Sequence, residues 1–236
     1  VTTAQNDLVS RGVGALPDIF TTHYFEWNNY RGDYRPLVKA SFAVEYQFFG
    51  FNPMVSHFIN LLLFVMIALL SLRFLRQVFP QINPYISAAV VVLFVSHPVN
   101  TEVVASLKNR DELLSLLFML LTFISAFKWL LDSKRVVLLS AILFFLLSLL
   151  SKMSSVTWLP VLVAVMIFNK TSRKKSFALT GLLLSLIVIF YATVFGVLDD
   201  WSRGFVFIET PFFEIESAAE KWASIISAAG YYLKLL

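Results

Sequence analysis

Apolar residues run through this chain in long blocks rather than in strict alternation, and short polar or proline-bearing junctions separate the blocks. A helix that crosses a bilayer needs about 20 mostly apolar residues, and fewer where it stops at a cavity or a thinned edge. On that measure the pattern predicts helices over Met54 to Leu75, Tyr85 to Ser96, Leu113 to Leu131, Val136 to Leu150, Val156 to Phe168 and Phe177 to Leu198, and one from Trp222 onward. The second, fourth and fifth are short. Each abuts a polar or proline element (His97-Pro98, Ser151-Lys152, Ser154-Ser155), the pattern of helices that stop at a site facing water.

Before the first long block, residues 1–53 read as short helices joined by turns. Leu16-Pro17-Asp18-Ile19-Phe20 has the form of a helix start, Asn28 to Asp33 that of a loop, and Pro36 suits the first turn of a further helix. From Leu37 to Phe49 that helix offers an apolar face of Leu37, Ala40, Val44 and Phe48 and a narrower polar one of Ser41 and Glu45, as expected for a helix lying in the membrane interface. The predicted fold is therefore all-α: a polytopic membrane helix bundle of about seven spans (54–236) behind an outer loop of interfacial helices (1–53).

Composition agrees. Of the 236 residues 58% are hydrophobic and only 14% charged, about half the charged share of a soluble domain. The formal net charge of +4 would raise nucleic acid as a partner in a soluble protein, but here the charges mark topology. Arg73 and Arg76, then Lys134 and Arg135, then Lys170, Arg173, Lys174 and Lys175 follow the first, third and fifth spans, with Asp132 the lone acid among them. The positive-inside rule assigns that face to the cytoplasm. Glu102, Asp111, Glu112, Asp199, Asp200, Glu209, Glu214 and Glu216 fall on the other face with the N-terminal segment. No cysteine is present, and His23, His57 and His97 lack metal-ligand spacing, so no metal site is predicted. Val1 opens without a signal-like stretch and Tyr231 to Leu236 closes inside an apolar run, so an interior piece of a longer protein is expected.

The densest chemistry lies in Ser96-His97-Pro98-Val99-Asn100-Thr101-Glu102 and Lys108-Asn109-Arg110-Asp111-Glu112, at the mouth of the third span. Ionisable groups are costly there unless they meet water, a counter-charge or a ligand. If helical after Pro98, Glu102, Ser106 and Arg110 share a face at four-residue steps, which leaves two readings: a ligand-facing site, or a solvated loop with an internal Glu102 to Arg110 ion pair. Arg35 is either a phosphate fork or an interfacial arginine that snorkels to headgroups. Lys152 is either a site cation or an ordinary boundary lysine. Asp199-Asp200 suits paired-carboxylate chemistry, although a span end in solvent explains it equally.

Tyr34-Arg35-Pro36-Leu37, Asn52-Pro53 with His57 and Asn60, His97 to Val104, Arg110-Asp111-Glu112-Leu113-Leu114 and Leu150-Ser151-Lys152, in this order, resemble the transmembrane and tetratricopeptide-repeat O-mannosyltransferase family, of the GT-C class. Ile208-Glu209-Thr210-Pro211 and Gly230 to Leu236 resemble its later segments. The resemblance implies a multi-pass enzyme that transfers a sugar, on the outer face, from a polyprenyl-phosphate carrier to a hydroxyl on an acceptor protein or glycan. The phenylalanine-rich, Lys/Asn-containing composition has a bacterial style, so a bacterial inner membrane with the active face periplasmic is expected, or the ER membrane if the protein is eukaryotic. It implies that Arg35, Arg110 and Lys152 hold the lipid phosphate, that Glu102 orients the acceptor or a metal, and that His97 and Asp111 lie at the site. The family's acidic pair is expected upstream of Asn6-Asp7, and Met153 stands where the family usually has an acid. The competing expectation is a non-catalytic membrane subunit that keeps the fold.

Overall fold

A computed structural model describes residues 6–27, 30–198 and 217–235. All seven apolar blocks are helical, within a few residues of the expected limits. The outer segment holds α1 (Asp7–Ser10), α2 (Leu16–Ile19), a hairpin of β1 (Phe25–Trp27) and β2 (Tyr30–Gly32), and α3 (Pro36–Phe49). The bundle follows as α4 (Pro53–Val78), α5 (Pro84–Ser96), α6 (Val99–Ala105), α7 (Arg110–Asp132), α8 (Arg135–Ser151), α9 (Leu159–Phe168), α10 (Arg173–Val197) and α11 (Ala218–Leu235). The hairpin corrects the purely helical expectation: Phe25 pairs with Gly32 and Trp27 with Tyr30 in antiparallel register where a plain loop was predicted.

Local chemistry starts and stops these helices. The Asn52 side chain accepts from the Met54 and Val55 amides and Asn83 accepts from Tyr85, each followed by a proline whose missing N–H costs nothing in a first turn. Asp111 and Glu112 sit in the first turn of α7, where the helix dipole favours carboxylates. At Pro98 the chain bends by 67° between α5 and α6.

Three helices are long and apolar enough to cross a membrane, α4, α10 and α7 with its preceding turn; the bent α5–α6 pair makes a fourth if it is one span. The 17-residue α8 and the 3-10 segment Met153–Trp158 leading into α9 are shorter apolar elements. Length and composition thus support three to four spans, fewer than the seven expected, because several apolar blocks are too short to cross unaided.

Burial identifies the hub. In the apolar stretch of α7 72% of residues are buried inside the protein, against 11% in α4 and 22% in α10, so α7 is the central post and the other two turn most of their surface outward. Phe123, Phe127 and Leu130 of α7 pack with Phe145 and Leu149 of α8, Leu162 of α9 and Leu183 of α10 in one continuous core. A hydroxyl seam fixes the α7–α8 contact: Ser148 donates to the Ser115 carbonyl at 2.9 Å, and the Ser115 and Ser155 hydroxyls meet at 2.7 Å. Small residues let the backbones approach, and each hydroxyl finds a partner that lipid would not supply.

The ends of α7 define the two ends of the bundle. Its 23 residues extend roughly 34 Å at 1.5 Å per residue, a little more than the hydrocarbon thickness of a bilayer. Near its start α4 packs alongside, with Asn60 against Arg110; further down, Gln77 donates to the Ile124 carbonyl at 3.1 Å. Near its end Lys175 of α10 donates to the Leu130 carbonyl at 3.1 Å. The basic residues in the last turns of α4 and just after α7 and α9 therefore gather at one end, and the acids of the α7 start at the other.

Candidate functional site

Helix α3 lies across the acidic end, but not with the face its apolar pattern suggests. Val38, Phe42 and Glu45 are buried, whereas Val44 and Phe48 are exposed. The reason is electrostatic: Lys39 donates to the His23 carbonyl at 2.9 Å, and Glu45 meets a buried arginine. Two charges that find partners inside outweigh two apolar side chains that can face lipid.

That arginine is Arg110, which is fully buried. Its Nη1 donates to Glu45 at 2.7 Å, Nε to the Asn60 side chain at 2.9 Å and Nη2 to the Ser56 carbonyl at 3.0 Å, and its guanidinium lies 3.8 Å from the centre of the Phe42 ring. Ser56 in turn donates to Glu45. Planarity and five donors make arginine the cation suited to such a closed cage. Arg110 therefore joins α3, α4 and α7. The Glu102 to Arg110 pair of the solvated-loop reading does not form, since the helix breaks at Ser106, whose ψ of 121° is extended, and Glu102 is exposed on α6.

One residue further on, about 100° around the helix, the start of α7 meets a second set of partners. Asp111, almost fully buried, accepts from Arg35 at 2.5 Å and lies 3.3 Å from the Lys152 ammonium. Arg35 also donates to Asp33 at 2.6 Å, and Lys152 also bonds Glu112. Two cations thus meet three carboxylates, drawn from the outer segment, α7 and the end of α8. The side chains of Arg35 and Lys152 remain 16% and 21% exposed, whereas that of Asp111 is only 3% exposed. Tyr24 lies beside this group, its ring centre 5.2 Å from the Arg35 guanidinium, and burial pushes its hydroxyl up to about 12.

Next to the network is a cavity of about 180 Å³ between α4, α5, α6 and α7. Phe64, Phe94, Leu116 and Trp158 give it apolar walls, Asn100 and Ser115 add polar lining, and Glu112 links it to the network. His97, at the α5 end, accepts from the Val99 amide through Nδ1 at 3.3 Å and so shapes the bend above this cavity.

Of the residues singled out in the sequence, Arg35, Asp111 and Lys152 come together, Arg110 is enclosed in a separate cage at the same helix start, and Glu102 and His97 stand on the bent α5–α6 pair. His57 is exposed on α4, away from the network. Asp199-Asp200 lies outside the described residues. Sequence reasoning missed Asp33 and the roles of Glu45 and Glu112; the signal available was Glu45 itself, a lone acid near the middle of a largely apolar helix.

The chain is 34% identical over 109 residues to the protein O-mannosyl-transferase TMTC4 of Mus musculus, a match covering 41% of this chain and 15% of that protein. It is 31% identical over 123 residues to mouse TMTC2, covering 48% of this chain and 14% of that protein. The protein O-mannosyl-transferase F38B6.6 of Caenorhabditis elegans is 26% identical over 179 residues, 73% of this chain and 25% of that protein. The similarity is to the TMTC protein O-mannosyl-transferases. No family model and no solved structure matches. The chain spans about 15% of the length of these mouse TMTC proteins and 25% of the worm protein, so the activity they are named for belongs to far longer molecules.

Proposed function

We propose that this chain is membrane-embedded machinery of a glycosyltransferase that moves a sugar from a polyprenyl-phosphate carrier to a hydroxyl acceptor, a protein serine or threonine, on the outer face. The observation that carries this reading is the convergence of Arg35 and Lys152 on Asp111 at one end of the bundle, beside an apolar cavity. In this reading the bundle is of GT-C type, with α8, α9 and α11 completing about seven crossings, and the basic end faces the cytoplasm.

Transfer breaks the bond from the anomeric carbon to the carrier phosphate, which leaves with the electron pair. A bond to the acceptor oxygen forms, and the hydroxyl proton passes to a carboxylate base. Arg35 and Lys152 supply the positive charge that stabilises the departing phosphate. To bind it they exchange part of their contact with Asp33 and Glu112, the more exposed carboxylates of the network. Asp111 holds both cations in register from its buried position, and Arg110 fixes the helix start that carries Asp111. In this reading Glu102, exposed on the bent pair, orients the acceptor, and the base is the acidic pair that the resemblance implies upstream of Val1.

One observation favours a second reading, a non-catalytic subunit: both cations are already matched by carboxylates, with one negative charge in excess. The experiment is transfer of radiolabelled sugar from native polyprenyl-phosphate donors to endogenous protein, in membranes carrying the full-length protein as wild type, Arg35→Ala, Lys152→Ala or Glu102→Ala. The enzyme reading expects losses of about a hundred-fold for the two cations, the scale of removing one electrostatic stabiliser, with unchanged protein level. Transfer absent with every donor, or indifferent to both cations, supports the scaffold instead. Adding EDTA to the same membranes reads out metal dependence.

A further inference from the structure

A larger cavity lies away from this site. It lies at the opposite end of the bundle, between the end of α9 and the start of α10, and measures about 730 Å³. Val163, Met166 and Phe177 form an apolar wall, Lys170 and Arg173 stand at its rim, and no acidic residue lines it.

Local structure holds those two cations in place. Lys170 adopts a left-handed backbone (φ 49°), which turns the chain sharply between the helices while its amide donates to the Ile167 carbonyl at 3.0 Å. The Thr171 amide reaches the Met166 carbonyl at 3.2 Å, and the Thr171 and Ser176 hydroxyls meet at 2.8 Å, so the turn is tied to both helices. Three positions beyond Lys170, Arg173 opens α10. Lys175, on the neighbouring face, is engaged with Leu130 and Ser133 at the end of α7 and anchors this corner to the hub. The cavity therefore sits one α7 length, roughly 34 Å, from the charge network, at the level of a headgroup plane.

We propose that this cavity holds an anionic membrane lipid, its phosphate between Lys170 and Arg173 and the upper part of its chains along Val163, Met166 and Phe177. Charge complementarity selects an anion, since the rim carries two cations and no acid. The apolar wall selects a lipid over free phosphate, which would leave that wall in water. Nothing in the sugar-transfer reading is required; the proposal needs only that the bundle spans a membrane.

The test is lipid retention by the purified full-length protein, measured by native mass spectrometry after incubation with phosphatidylglycerol or phosphatidylcholine. Wild type is expected to retain phosphatidylglycerol preferentially. The double variant Lys170→Gln/Arg173→Gln is expected to lose about thirty-fold in that preference, the scale for two cations near an anionic lipid surface. Lys134→Gln/Arg135→Gln, at the same end but outside the cavity, retains it, and Thr180→Trp, which fills the cavity without removing charge, loses it. Equal retention of both lipids by wild type overturns the proposal. So does equal loss in the Lys134/Arg135 control, which would mean diffuse charge, or full competition by inorganic phosphate, which would mean that the apolar wall plays no part. Because no sugar enters the readout, failure of the transferase reading leaves these outcomes unaffected.

Discussion

Removing Glu45 should damage the protein more than removing Arg110, although the two form one ion pair. With Glu45→Leu the guanidinium stays buried against Phe42 and keeps only the Asn60 and Ser56 oxygens as acceptors. Arginine does not escape by losing its proton, so the uncompensated charge costs about 3–5 kcal/mol, the range for breaking a buried pair from one side. In Arg110→Met the abandoned carboxyl can take up a proton, as isolated buried acids do, and it still has the Ser56 hydroxyl. That variant loses its ring and backbone contacts but buries no fixed charge, so the expected cost is smaller, about 2 kcal/mol of packing and hydrogen bonding. The double variant Glu45→Leu/Arg110→Met should lie closer to Arg110→Met than to the sum of the two, because replacing a whole buried pair with apolar groups is often neutral. The assay is thermal unfolding of detergent-solubilised protein, followed by loss of the monodisperse chromatographic peak. A near-neutral Glu45→Leu, or two single effects that simply add in the double variant, would show that the enclosed pair is not what joins α3 to α7.

Glu112→Gln should change stability by less than about 1 kcal/mol, as for a half-exposed surface pair, yet raise affinity for polyprenyl phosphate by removing a competitor for Lys152; unaltered binding in a donor titration would refute that competition. Gly12 has φ of 64°, and an added Cβ would run into the Gln47 side chain, so Gly12→Ala should destabilise the packing of the outer segment on α3 by about 1–2 kcal/mol, measurable as faster protease cleavage there; an unchanged cleavage rate contradicts it. Because burial raises Tyr24 from 10.0 to about 12, the unfolded chain releases this proton first as pH rises. The contribution of Tyr24 is thus complete below pH 10 and is lost by about pH 12, and Tyr24→Phe should flatten that part of the stability profile.

The helices were legible because a membrane imposes one rule on the sequence: apolar blocks with every backbone group bonded internally. Proline and asparagine marked their starts, as at Asn52-Pro53 and Asn83-Pro84. The number that cross was less legible, since Arg135–Ser151 and Leu159–Phe168 have the composition of spans but not the length. The site was legible as a set of residue types and not as a geometry. Arg35, Asp111 and Lys152 were each conspicuous as charges beside apolar blocks, but nothing local says that an arginine before α3 meets an aspartate 76 positions later. Neighbouring residues Arg110 and Asp111 looked alike in sequence and proved to hold different partners, Glu45 for one and Arg35 with Lys152 for the other. The face of α3 was misread for the same reason: hydrophobic periodicity assumes that apolar residues go inside, and in lipid the outside is apolar too.

The central claim, that Arg35 and Lys152 together hold a carrier phosphate, is tested most directly by binding of polyprenyl phosphate to the full-length protein in nanodiscs of neutral lipid. The account predicts measurable binding by wild type, a loss of at least about ten-fold in each of Arg35→Gln and Lys152→Gln, and no comparable loss in Lys134→Gln at the far end. Binding that is indifferent to Arg35 and Lys152, or that falls equally with Lys134→Gln, would contradict it.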